Sequence, residues 1–163
     1  MIRRSAVTIA LAVILALPGR LFAWDTGTDT VKKKKARITA VKGSVEVKSP
    51  ANKSEWVPGA VNAAVKDGYI IRTGEDSAAT LNINGAAENI TVELDARTKF
   101  SIVELDGTAG GKNSILLSLA EGKITARAKN MLPGSVFEIK TPTSIVSSQG
   151  PNSSFNVQVD RID

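Results

Sequence analysis

Between Lys66 and Gly85 the chain reads KDGYIIRTGEDSAATLNING, and nearly every residue there belongs to a strand or to a turn. Asp67-Gly68 is a turn dipeptide in which Gly68 is free to take a positive φ. Tyr69, Ile70 and Ile71 are strong strand formers. Gly74-Glu75-Asp76-Ser77 then breaks the run, and Gly74, like Gly68, is expected to hold a backbone angle that other residues resist. Ala79, Leu81 and Ile83 next alternate with Ala78, Thr80 and Asn82, the period of a half-buried strand. Asn84-Gly85 supplies the closing turn. A chain built this way folds by pairing short strands.

The pattern repeats along the body. Strands are expected over Arg37–Val41, Ser44–Lys48, Tyr69–Thr73, Ala78–Ile83, Asn89–Leu94 and Lys99–Glu104. Further ones are expected over Ser114–Leu119, Lys123–Ala128, Ser135–Lys140, Ser144–Ser147 and Ser154–Val159. Strands spaced by turn residues indicate an all-β fold, a compact sandwich or roll of about ten short strands; a β-helix-like winding gives the same pattern. Gly59–Lys66 (GAVNAAVK) is the best candidate for a helical turn. The in-facing set is Val45, Val47, Ile71, Leu81, Ile83, Ile90, Val92, Leu94, Phe100, Ile102, Leu117, Leu119, Ile124, Phe137, Ile139, Val146, Phe155 and Val157. Trp56 reads as a lid over one end of the sheets, with Pro58 fixing the turn after it.

The order of these elements resembles the FecR-type domain, the periplasmic domain family of iron-dicitrate sensor regulators. Gly43-Ser44-Val45-Glu46-Val47 is similar to that family's opening strand, and Trp56-Val57-Pro58-Gly59 to its Trp/Pro segment. Gly68, Ile71-Arg72-Thr73-Gly74 and Asp76-Ser77-Ala78 resemble its central signature, which Gly85 closes. Leu119 to Ile124, with Gly122 inside it, resembles the later strand–Gly–strand element. Thr141-Pro142 resembles the closing Thr-Pro element, followed by Phe155. The likeness runs from about Arg37 to Val159. One departure is the turn before Phe155: Ser148 to Ser154 is longer than the family's and has no basic residue. The resemblance implies an extracytoplasmic, protein-interacting module with no cofactor. A stand-alone form of that module is expected here, since only three residues precede Arg4 where the family's cytoplasmic part would lie.

The N-terminus fits export. Arg3 and Arg4 precede an apolar run from Ala6 to Pro18, and Leu21-Phe22-Ala23 offers a cleavage site, so residues 1–23 read as a signal peptide. Retention of that segment as an anchor is the alternative, although the run is short for a span of about 20 residues. Residues 24–36 read as a disordered polar and lysine-rich leader, and residues 37–163 as the β domain. The full chain carries 21 Lys and Arg against 16 Asp and Glu. Without Arg3, Arg4 and Arg20 the balance is 18 against 16, and without Lys32 to Lys35 as well it is 14 against 16. The basic charge therefore belongs to the two N-terminal segments and gives no reason to expect nucleic-acid binding. The lysine run reads as a solvated leader or as an electrostatic tether to anionic headgroups and wall polymers.

The chain contains no His and no Cys. That removes His-based and Cys-based nucleophile systems, the usual transition-metal ligand sets, disulfides and lipidation of an N-terminal Cys. Acid pairs occur at Glu75/Asp76, Glu93/Asp95 and Glu104/Asp106, but carboxylates hydrolyse glycosides only across a cleft of defined separation. Calcium at Asp106-Gly107 lacks a following ladder of ligands. Asp106 to Ser114 fails the P-loop spacing and reads as a hairpin tip. The sequence thus points to a periplasmic or secreted, non-enzymatic binding or scaffolding module of the cell envelope whose partner is another protein. A carbohydrate- or wall-polymer-binding module is the alternative. It requires a solvent-facing aromatic platform, for which Trp56 and Tyr69 are the candidates. No transmembrane span is expected once the signal is removed.

Overall fold

The computed structural model describes residues 30–52, 54–84, 89–148 and 150–160, and within them the chain is all-β, with no helix. The proposed signal segment, Trp24 to Asp29 and Gly85 lie outside the described residues. Four long segments, each bent in the middle, account for most of the molecule. The first is β2 (Ala36–Lys42) followed by β3 (Val45–Lys48), broken at Gly43-Ser44. The second is β6 (Ile70–Thr73) and β7 (Ala78–Asn84), broken between Gly74 and Ser77. The third is β8 (Asn89–Leu94) and β9 (Lys99–Gly107), broken between Asp95 and Thr98. The fourth is β10 (Asn113–Lys129), which does not break but shifts register between Leu119 and Glu121.

Each segment runs antiparallel to the next, so the bends line up. β3, β6, β9 and the first half of β10 make one sheet; β2, β7, β8 and the second half of β10 make the other. Strands that pass from one sheet to the other at a bend are how a curled two-layer core forms its corner. β11 (Val136–Lys140) lies parallel to the first half of β10, and β12 (Ile145–Ser148) antiparallel to β11. β13 (Ser153–Val159) lies antiparallel to the second half of β10. The β10–β11 pair is the one parallel pairing among the described residues. Three two-residue strands complete the set: β1 (Lys32–Lys33) on β9, β4 (Val57–Pro58) on β3, and β5 (Ala64–Val65) on β2.

Alternation puts one face of every long strand inside; β8, for example, alternates exposed or half-buried Asn89, Thr91 and Glu93 with buried Ile90, Val92 and Leu94. The expected core residues all sit there, with Val146 and Phe155 at its margin. Ala36, Ile38, Val65, Leu105, Ile115, Ala126 and Met131 join them. Each large side chain taken from water contributes on the order of 1.5–3 kcal/mol.

Three expectations are corrected. Gly59–Lys66 forms no helical turn: Asn62 takes a φ of 71°, Val65 is buried on β5, and Val61 remains exposed, so the segment has no helical apolar face. The strands expected over Ser114–Leu119 and Lys123–Ala128 are one strand, because Gly122 bends the ladder without ending it. The lysine run is not a free leader. Lys32 and Lys33 pair with Gly107 and Asp106, and the Lys34 N–H donates to the Leu105 carbonyl at 2.8 Å. The Lys33 ammonium lies between Asp106 (2.5 Å) and Asp67 (2.9 Å), and the hydrogen bonds to these two carboxylates raise its pKa. Deleting residues 30–35 is therefore expected to lower stability by roughly 1–2 kcal/mol from the lost backbone hydrogen bonds. Thermal unfolding of the shortened chain checks this; an unchanged midpoint would return the run to a solvated leader.

Candidate functional site

Where the four segments bend, their ladders are interrupted, and interrupted ladders leave buried N–H and C=O groups that cost about 1–3 kcal/mol each if unpaired. Three buried hydroxyls close the gap. Ser77 Oγ accepts from the Ser44 N–H (2.9 Å) and donates to the Glu75 carbonyl (2.8 Å). Thr73 Oγ1 accepts from the Thr98 N–H (2.9 Å) and donates to the Asp95 carbonyl (2.6 Å). Thr98 Oγ1 accepts from the Lys123 N–H and donates to the Lys123 carbonyl, both at 3.1 Å. Direct backbone bonds run beside them, from Gly74 to Ser44 (2.9 Å), Arg97 to Gly74 (3.0 Å) and Asp95 to Lys123 (3.0 Å). The four bends are thus tied into one seam across the molecule.

The seam needs unusual backbone angles. Gly122 takes a φ of 93°, and a Cβ there would lie 2.5 Å from the Thr98 Cα. Asp76 and Arg97 take φ values of 50° and 53°, a region that side chains other than Gly, Asn and Asp rarely enter. Gly74 is not in that region; Asp76, two residues on, makes the left-handed turn expected of it.

An open cleft of about 960 Å³ lies over the seam. Trp56, Arg72, Arg97, Lys99, Lys123 and Asp160 are among its walls, with Thr73, Gly74 and Gly122 beneath. Strand register sets a row of side chains beside it: Glu46 opposite Arg72, Arg72 opposite Lys99, and Lys99 opposite Glu121, on four neighbouring strands. Arg72 Nε bonds Glu46 at 2.6 Å, and that hydrogen bond holds the Glu46 carboxyl below its ordinary value. The Arg72 guanidinium lies over the Trp56 ring at 4.1 Å, with the Lys48 ammonium at 5.0 Å from the same ring. Arg97 pairs with Glu75, and Lys123 with Asp95 at 3.2 Å.

Trp56 is therefore half-buried among cations and is not the packed lid expected of it. Trp56→Ala should cost about 1–2 kcal/mol, short of the roughly 3–5 kcal/mol for a fully buried aromatic ring. Chemical unfolding measures this, and a loss in the upper range would place the ring in the core. Tyr69, the other aromatic candidate, is half-buried against the core.

Trp56, Arg72, Thr73, Gly74 and Gly122 come together at the cleft. Glu75 of the acid pairs also lines it, whereas Pro58, Gly68, Thr141, Pro142 and Phe155 do not. Pro58 lies on the outermost strand of the first sheet, and Gly68, at a φ of 79°, donates its N–H to the Ile102 carbonyl at 2.7 Å. Thr141 and Pro142 form the β11–β12 turn, where Thr141 Oγ1 accepts from the Ser144 N–H at 3.0 Å, beside a second cleft of about 520 Å³. Phe155 packs against Phe137 with ring centroids 5.9 Å apart. At least one member of each acid pair is held by a cation: Glu75 by Arg97, Glu93 by Arg127 (2.7 Å), Asp95 by Lys123 and Asp106 by Lys33. Among the described residues no three acidic side chains gather as a cation site, and no helix is long and apolar enough to cross a membrane.

Sequence reading missed Glu46 and Lys99 as neighbours of Arg72, and Thr98 and Lys123 as parts of the same cleft. The signal that could have found them is Asp95-Ala96-Arg97-Thr98, a break between two alternating runs matching the earlier break at Gly74 to Ser77. Comparison with known proteins finds no matching family model, no matching curated protein and no matching solved structure.

Proposed function

We propose that this chain is an extracytoplasmic, non-enzymatic binding module of the bacterial cell envelope, and that its seam cleft receives a segment of another protein. The observation that carries this reading is the ordered row of Glu46, Arg72, Lys99 and Glu121 at the edge of an open cleft whose floor is fixed by backbone and hydroxyl bonds. Charges of both signs, held at strand spacing, suit a polypeptide carrying its own ordered polar groups. Export is supported by the Arg3-Arg4, apolar run and Ala23 pattern, and protein binding by the resemblance to FecR-type domains. A sugar-binding face is less well supported, since it needs a free aromatic ring face and Trp56 already carries Arg72.

The test is affinity capture from envelope extract with the exported protein and with its Lys99→Glu and Arg97→Glu variants. The reading expects a captured protein that both variants lose while their far-UV circular dichroism is unchanged. Capture that survives both variants would move the partner away from the cleft. Retention on purified wall polymer with no protein captured would favour the carbohydrate reading.

A further inference from the structure

Most free edges of these sheets are blunted. β4 is two residues long and contains Pro58; β5 is also two residues; β1 is a pair of lysines; β12 is four residues. β2 carries a register irregularity and ends in Lys42. Short, bulged, Pro-bearing or Lys-bearing edges are how sheet proteins avoid joining other strands. β13 has none of these features. Its seven residues, Ser-Ser-Phe-Asn-Val-Gln-Val, hold no charge and no proline, and they pair with β10 without a register shift from Ser153 to Val159. Among the described residues β10 is its only strand partner, so its outer edge presents unpaired backbone groups. Phe155 and Val159, on its inner side, are only half-buried at the core margin.

We propose that β13 pairs with β13 of a second copy of this chain, antiparallel about a two-fold axis, and extends the second sheet across both copies. The choice of a second copy follows from charge. A two-fold joint sets residues near its centre against their own counterparts, so a charge there would face its own sign; β13 carries none. Centred on Asn156, the joint puts Asn156 opposite Asn156 and Phe155 opposite Val157 on the inner side. Ser154, Asn156 and Gln158 stay on the outer face with Thr125, which already bonds Asn156 at 2.7 Å. Gln158, Val159 and Asp160 also wall the seam cleft, so antiparallel joining leaves one cleft towards each end of the joint. The dimer does not depend on what the cleft binds.

The experiment uses the protein as the cell exports it, followed by sedimentation velocity over a concentration series. A dimer that grows with concentration is expected. Asn156→Cys should give a disulfide-linked dimer on mild oxidation, in a chain with no other cysteine. Asn156→Lys and Asn156→Glu should each weaken self-association by at least about fivefold, and mixing the two should restore it as a heterodimer. A monomer at every concentration would overturn the proposal. So would a dimer in which the Asn156→Cys variant does not cross-link, or folded Lys and Glu variants whose mixture fails to associate.

Discussion

Gly122→Val, at the half-buried bend inside β10, is expected to lower the unfolding free energy by roughly 4 kcal/mol. Two costs add. A φ of 93° is open to glycine and strained for a β-branched residue. A Cβ would also lie 2.5 Å from the Thr98 Cα and 2.7 Å from the Arg97 carbonyl oxygen, so backbone must move. That movement pulls at the bond between Thr98 Oγ1 and Lys123, where β8–β9 and β10 are tied. Urea unfolding measures the loss. A change below about 1 kcal/mol would mean that the seam relaxes freely around Gly122.

Thr98→Val should cost roughly 2–4 kcal/mol, although shape and volume hardly change. Thr98 is 1 % exposed, and its hydroxyl serves both the N–H and the carbonyl of Lys123. Valine supplies neither bond and leaves the part-buried Lys123 N–H without its hydroxyl acceptor. Thr98→Ser keeps the hydroxyl and should recover most of the loss. Equal losses in the Val and Ser variants would show that the methyl contact, not the hydroxyl, holds the bend.

The strands were legible because alternation is a local signal. Asn89–Leu94 shows it, with Ile90, Val92 and Leu94 inside and the residues between them outside. The bends were partly legible: Gly74-Glu75-Asp76-Ser77 read as a break, but its alignment with Asp95 to Thr98 and with Gly122 is a matter of register between distant strands, which no local window carries. The Gly122 break read as a strand end because a glycine that bends a strand and one that ends it look the same in sequence. The lysines misled for a related reason. Charge marks solvent exposure, and Lys33 is exposed, yet its backbone still completes the edge of β9 between two carboxylates distant in sequence. Trp56 read as core because large aromatics usually are; the cations that cover it come from β3 and β6 by register.

Amide hydrogen exchange at Ser44, Thr98 and Lys123 tests the seam most directly. All three N–H groups lie at bends, where turn amides exchange freely, and all three donate to a buried hydroxyl in this structure. They are expected to exchange as slowly as the amides of Val92 and Leu117 in the central strands, and Thr98→Val should release Lys123 alone among the three. Exchange at the rate of an open loop for all three in the unaltered protein would contradict the account: the bends would then be loose joints, and the cleft above them would have no fixed floor.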